Sequence, residues 1–203
     1  MFKQLYQLNV FRSHIEGLDN KHLAKISIES ADQKIDSQAS ATGYEDSPIN
    51  ADDEQILRLR KTVKKIMHEH IDQRLEEGEI WAHVLRSGET TMIHSHRSKS
   101  DWAFLGVSWV YYVYNPPTKN SGGKIVFQTQ IGGTKTINAD FDPKHGDLII
   151  FPSWLPHFTT RNASPEVRIS ISGNYRVRRE NEHRYNDIAN DKKSGIHKLT
   201  GFY

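Results

Sequence analysis

M-I-H-S-H-R-S-K-S-D-W-A-F-L-G-V-S-W-V-Y-Y-V, residues 92–113, decides how the rest of the chain is read. It begins with His94 and His96 two positions apart. In an extended segment alternate side chains share a face, so both imidazoles can point at one ion. It ends in an apolar and aromatic run with the look of a buried strand. An H-x-H pair leading into such a strand predicts a metal clamp inside a β-rich core.

Downstream and upstream of this stretch, short strand-like segments follow one another quickly. They are Ile80 to Arg86, Thr90 to His96, Phe104 to Tyr114, Lys124 to Thr129, Lys135 to Ala139, Asp147 to Phe151, His157 to Arg161 and Val167 to Tyr175. Gly, Pro and Asn separate them. The pattern predicts a mainly β fold, an antiparallel sandwich or jelly roll, with N-terminal helices covering one sheet from outside. Gly122-Gly123-Lys124 reads as a hairpin turn. Asn162-Ala163-Ser164 matches a glycosylation acceptor, which carries little meaning in a cytoplasmic protein.

The N-terminal part is more varied. Phe2 to Phe11 suits an edge strand, and Asp19 or Asn20 can cap a short helix carrying Leu23 and Ile26. Residues 29–50 form a polar connection, expected to be either disordered or a lid. From Ala51 to Arg74, Ile56, Leu59, Val63, Ile66, Met67 and Ile71 recur at helical spacing, with Asn50 as the cap and Asp53 in the first turn. His68 and His70 on this helix point in different directions and are expected to be solvated or capping. The whole is read as one domain, 1–203: N-terminal strand, polar loop and covering helices (1–78), β core (79–175) and polar tail (176–203).

Composition narrows the class. With 26% charged and 36% hydrophobic residues and a mean hydropathy of −0.68, the chain reads as soluble. No apolar run approaches the length of a membrane span, and the start lacks the regions of a secretory signal, so a cytoplasmic location with no membrane partner is expected. The absence of cysteine excludes disulfides and thiolate ligands, which leaves His and carboxylates to hold any metal. A net charge of +2 is too small to argue for nucleic acid. The Arg176, Arg178, Arg179 and Arg184 cluster reads as a solvated face, and oligomeric state is left open.

Two further segments converge on the clamp if the strands close into a roll. Gly146-Asp147-Leu148-Ile149-Ile150-Phe151-Pro152-Ser153-Trp154-Leu155-Pro156-His157 is a buried strand ending in a Pro-punctuated turn that delivers His157. In Val167-Arg168-Ile169-Ser170-Ile171-Ser172, alternation places Arg168, Ser170 and Ser172 on one face and the aliphatic residues on the other. If the polar face lines the roll, a confined Arg168 needs an anion, and its planar fork suits a carboxylate. An inward Tyr112 hydroxyl would likewise need a partner.

Taken together and in order, H-S-H, W-V-Y-Y-V, G-D-L-I-I-F-P-S-W-L-P-H and R-I-S-I-S-G-N resemble the iron(II)/2-oxoglutarate-dependent oxygenases, especially their prolyl-hydroxylase-like bacterial and phage branch. The resemblance spans roughly Trp81 to Asn174 and implies a double-stranded β-helix. It also implies a dioxygenase that uses Fe(II), 2-oxoglutarate and O2 to hydroxylate a substrate, a protein or peptide side chain by analogy with prolyl hydroxylases. Carried over by position, His94 and His157 match metal ligands, Arg168 the anchor of the distal carboxylate, Ser170 its R-x-S partner and Tyr112 a tyrosine bonding the same co-substrate. His96 stands where most of the family has a carboxylate. Either His96 completes the metal site or Asp101 folds back as the carboxylate ligand.

Gly88, His94, His96 and Asp101, with Gly146, Pro152 and His157, are also similar to the two cupin motifs. That resemblance implies a metal-containing binding protein without oxygenase activity. Arg168 with Ser170 favours the oxygenase, since a cupin has no need of the pair. His83 is a candidate for the pocket wall, and Arg97, Lys99, Trp102 and Trp154 for the pocket rim.

Overall fold

The structure is a computed structural model that describes residues 9–35, 47–71, 74–96, 106–116, 122–131 and 135–178. Their elements run β1 (Phe11–His14), α1 (Asn20–Ile35), β2 (Ser47–Pro48), α2 (Glu54–His68), β3 (Arg74–Leu85), β4 (Thr91–His94), β5 (Gly106–Tyr114), β6 (Ile125–Ile131), β7 (Lys135–Phe141), β8 (Asp147–Pro152), β9 (His157–Thr159) and β10 (Arg168–Arg178). One sheet has the order β1-β8-β5-β10-β3-β2 and the other β4-β9-β6-β7, with antiparallel pairing throughout. All eight expected core strands are present. The two sheets form the double-stranded β-helix, with both helices on the outside of the larger one.

The helices cover that sheet because their apolar stripes match it. Along α2, Ile56, Leu59, Val63 and Met67 are buried and pack with Trp109, Tyr111, Leu148, Ile169 and Ile171. Each such aliphatic side chain contributes roughly 1.5–3 kcal/mol. The Asp53 side chain caps the helix, accepting from Gln55 N and Ile56 N, while Asn50 only closes a turn by accepting from Asp52 N. This corrects the expected cap.

The helix also ends earlier than Arg74, which opens β3 opposite Arg178. Ile71 kept the helical period because it still packs against the core after the chain has left the helix.

α1 is sixteen residues long rather than short, capped by Asp19 Oδ1 on His22 N at 3.0 Å. Its buried stripe is Leu23, Ser27 and Ala31, and Ser27 satisfies its hydroxyl on Leu23 O at 2.7 Å. The helix is where the sequence places it, and small and polar residues on its core-facing stripe hid only its length from a hydrophobic pattern. The expected polar connection 29–50 therefore starts as helix, and 36–46 lie outside the described residues. The N-terminal edge strand exists, but at Phe11–His14; residues 1–8 and the tail from 179 also lie outside the described set.

Gly122 and Gly123 do not make a hairpin, because β5 and β6 belong to different sheets. Both have positive φ, 70° and 68°, where the chain crosses between sheets. A Cβ on Gly122 would lie 1.9 Å from Arg161 O, and one on Gly123 would lie 2.8 Å from Arg168 Cδ. Glycine is required here by close approach. Asn162 is buried and donates through Nδ2 to Leu85 O at 3.0 Å and Glu166 O at 2.9 Å. Its amide ties the turn before β10 and is closed to modification. Among the described residues no helix is long and apolar enough to cross a membrane.

Candidate active site

The cavity lies between the two sheets, and register sets its walls. On the larger sheet Ser170 pairs with both Tyr112 and His83, and Ser172 with both Val110 and Trp81. Alternation turns these side chains, with Arg168, toward the smaller sheet, where Thr91, His94, Ile125, His157 and Thr159 face them. On the smaller sheet His94 pairs with His157, and His157 with Phe127.

β4 has a register shift between Thr91 and His94, which lets both face inward. The same irregularity leaves Met92 and Ile93 exposed, at 64% and 49%. β4 stops at His94, so the expectation that one strand presents both histidines needs correction. His96 is instead held just beyond it, by its N–H on Ser153 O at 2.9 Å and by the Trp81 ring at 5.1 Å.

The three imidazoles meet, with one ligand atom from each of His94, His96 and His157 lying within 4.8 Å of the others. His94 Nδ1 lies 2.8 Å from Met92 O and His157 Nδ1 lies 2.9 Å from Leu155 O. A carbonyl only accepts, so both Nδ1 atoms carry the proton and both Nε2 atoms keep their lone pairs. Hydrogen bonds of this kind orient metal-binding histidines.

His96 Nε2 sits 3.2 Å from His157 Nε2, a contact in which His96 donates. Two donors at right angles on a metal with bonds of about 2.1 Å would be roughly 3 Å apart, so the spacing fits a cation. Burial, then the neighbouring His94 and His96, push His157 down to about 3, which keeps it neutral and available as a ligand.

At the other end of the cavity Arg168 is 2% exposed and its Nε has no hydrogen-bond partner. Its guanidinium lies 4.8 Å over the Tyr112 ring, and Nη1 reaches only Ser170 Oγ, at 3.5 Å. The fully buried Tyr112 hydroxyl also has no partner. Burial pushes the arginine below its ordinary value and the phenol above its own, with the Arg168–Tyr112 attraction opposing both shifts.

A buried guanidinium without a counter-charge is costly, and an anion accepting from it and from Tyr112 removes that cost. Three convergent imidazoles therefore share a cavity with a guanidinium and a phenol whose polar atoms suit a carboxylate. That donor set fits Fe(II) and 2-oxoglutarate.

Of the expected residues, His94, His96, His157, Tyr112, Arg168, Ser170 and His83 converge on one cavity. Asp101, Arg97, Lys99 and Trp102 lie outside the described residues, and Trp154 packs partly buried against Leu155 and its neighbours. Gly88, with φ 87°, turns the chain against Arg161, and Gly146, with φ 83°, lies beneath His14.

Sequence reasoning missed Trp81, whose Nε1–H donates to His83 Nε2 at 3.0 Å, and Thr91, whose Oγ1 accepts from Thr159 N at 2.6 Å. Period-two reading of β3 from His83 would have found Trp81. Gly123 was read as a turn, and its lack of a side chain is what admits Arg168.

Residues 79–174, running from β3 into β10, match the sequence family described as "Putative 2OG-Fe(II) oxygenase". No curated protein sequence matches the chain. Similar folds occur in a prolyl-4-hydroxylase from Pseudomonas putida (18% identity, TM-score 0.57, 85% of this chain and 94% of that one). HygX from Streptomyces hygroscopicus, solved with nickel and 2-oxoglutarate bound, is also similar (14%, 0.57, 83% and 82%). So is a prolyl hydroxylase from Trichoplax adhaerens in complex with a peptide fragment of hypoxia-inducible factor (15%, 0.53, 81% and 83%). Over residues 79–174 the chain is similar to the iron(II)- and 2-oxoglutarate-dependent oxygenases.

Proposed function

We propose that His94, His96 and His157 hold the iron, that Arg168, Ser170 and Tyr112 hold the far carboxylate of 2-oxoglutarate, and that the substrate is a side chain of a protein or peptide. The observation that carries this reading is the pairing of a fully buried Arg168 and Tyr112, both with open polar atoms, with three convergent imidazoles across one cavity.

With iron bound, the metal supplies the oxidative chemistry: 2-oxoglutarate, O2 and a C–H bond give succinate, CO2 and a C–OH. The chain's own work is placement. Met92 O and Leu155 O fix the tautomers of His94 and His157, and Ser153 O fixes the backbone of His96. Arg168 sets the orientation of the co-substrate, and the apolar Val110 and Ile125 exclude water beside it. The exposed Met92 and Ile93 next to His94 offer apolar contact to an incoming peptide. A cytoplasmic setting suits a chain that depends on ferrous iron.

Incubation with Fe(II), 2-oxoglutarate and O2 should yield succinate, faster when a peptide mixture contains the substrate. Formation should be lost in Arg168→Ala. An absence of succinate across peptide libraries, with metal demonstrably bound, would refute the reading.

A further inference from the structure

Arg168 is the first residue of β10, and its stem runs past Gly123 on the way into the cavity. A Cβ at Gly123 would lie 2.8 Å from Arg168 Cδ, 3.4 Å from Arg168 Nε and 3.6 Å from Asn115 Oδ1. The arginine and the asparagine therefore meet over the bare α-carbon of one glycine. Asn115 directly follows β5, is buried, and donates through Nδ2 to Pro143 O. That bond orients the amide: a carbonyl only accepts, so the nitrogen faces Pro143 and the oxygen faces Arg168.

Asn115 Oδ1 and Arg168 Nε are both buried, and neither has a hydrogen-bond partner. One only accepts and the other only donates. Leaving either group unmade is costly, and two complementary orphans beside the same glycine form a polar gap of the kind that one bridging water fills.

We infer that Asn115 is a positioning residue for Arg168, taking its Nε–H through a single buried water over Gly123. The link turns the guanidinium so that its Nη end, beside Ser170, meets the anion. It rests on the role proposed above for Arg168 and adds the residue that aims it. Neutrality matters at this position. An amide orients the guanidinium without supplying a counter-charge, whereas a carboxylate would pair with it and compete with the incoming dicarboxylate.

Two substitutions separate this role from a structural one, because both lose the bond to Pro143 and only one loses the acceptor over Gly123. Asn115→Asp keeps an oxygen there, and Asn115→Leu does not. Nitrogen-15 spectra of the metal-free full-length chain report the Arg168 Nε–H, identified by its loss in Arg168→Lys. In wild type the proton should resonate in the hydrogen-bonded range and show a cross-peak to a long-lived water. It should stay in that range in Asn115→Asp and leave it in Asn115→Leu.

Calorimetric titration of the Mn(II)-loaded chain with 2-oxoglutarate, without O2, supplies the second readout. Asn115→Leu should bind about fivefold more weakly, the worth of one hydrogen bond. Asn115→Asp should bind more weakly still, although its Nε–H is held. An Nε–H signal that does not change in Asn115→Leu, or that is lost equally in both variants, would overturn the inference; if Asn115→Leu does not fold, loss of the signal in Asn115→Asp alone does so. Equal or tighter 2-oxoglutarate binding by Asn115→Asp would also overturn it. A wild-type chain that holds the Nε–H but binds no 2-oxoglutarate would sink the proposed function instead, and the link between Asn115 and Arg168 would stand.

Discussion

Tyr111 and Tyr112 are adjacent in β5, equally buried, and differ in one respect. Tyr111 faces the helices and donates its hydroxyl to Asn20 Oδ1 at 2.8 Å. Tyr112 faces the smaller sheet and has no partner for its hydroxyl. The same contrast runs along β10, where Ile169 and Ile171 meet α2 while Arg168, Ser170 and Ser172 enter the cavity. One face of the larger sheet is closed by the fold's own side chains. The other keeps buried polar atoms for something that arrives later, which is how a single strand separates stability from binding.

The sharpest way to break that separation is to truncate one residue on each face. Leu59→Ala, on the helix side, should cost about 2–5 kcal/mol of stability and leave 2-oxoglutarate affinity alone. Arg168→Ala should do the reverse, costing about 2–5 kcal/mol of 2-oxoglutarate affinity. Arg168→Met should leave stability unchanged or higher, because it removes a buried charge without a counter-ion. Denaturant midpoints and calorimetric titration would show the crossing. If Arg168→Met unfolds the chain, or Leu59→Ala abolishes binding, the two faces are not independent.

A gentler version uses the tyrosines themselves. Tyr111→Phe should lower stability by about 1 kcal/mol, the usual worth of one hydrogen bond, and leave affinity unchanged. Tyr112→Phe should leave stability unchanged and weaken 2-oxoglutarate by a comparable amount. Equal effects of the two substitutions on stability would mean that Tyr112 is satisfied by the fold after all.

The smallest effect near neutral pH comes from His157. Its folded value, about 3, lies below the 6.5 of the unfolded chain. Between those limits the unfolded state binds a proton that the folded state refuses, so metal-free stability must fall as pH drops below about 6.5. His157→Ala should lack that contribution. A pH series of denaturant midpoints on both chains would register it, and identical profiles would contradict the burial of a neutral imidazole.

The β core was legible because its physics is local. Alternation in Val167 to Ser172 and the apolar run from Leu148 to Phe151 fix which side chains face in, and glycines and prolines mark the ends. Arg168, Tyr112 and His157 could be assigned to the cavity on that ground. What escaped depends on contacts between distant segments. The α1 stripe uses Ser27 and Ala31, whose burial is set by the sheet beneath them. Gly123 owes its identity to Arg168, some forty-five residues later in sequence. The irregularity at Met92–Ile93 shortens β4, so His96 reaches the cavity by a turn anchored on Ser153 rather than by strand alternation. Trp81 gains its place only because β3 pairs with β10.

The central claim is that three imidazoles and one arginine bind a metal and a dicarboxylate side by side. Anaerobic titration of the metal-free chain with Fe(II) and then 2-oxoglutarate tests it most directly. The account predicts a weak visible charge-transfer band that saturates at one equivalent of iron and disappears in both His157→Ala and Arg168→Ala. A band of equal strength in either variant, or none in the wild type with iron bound, would contradict it.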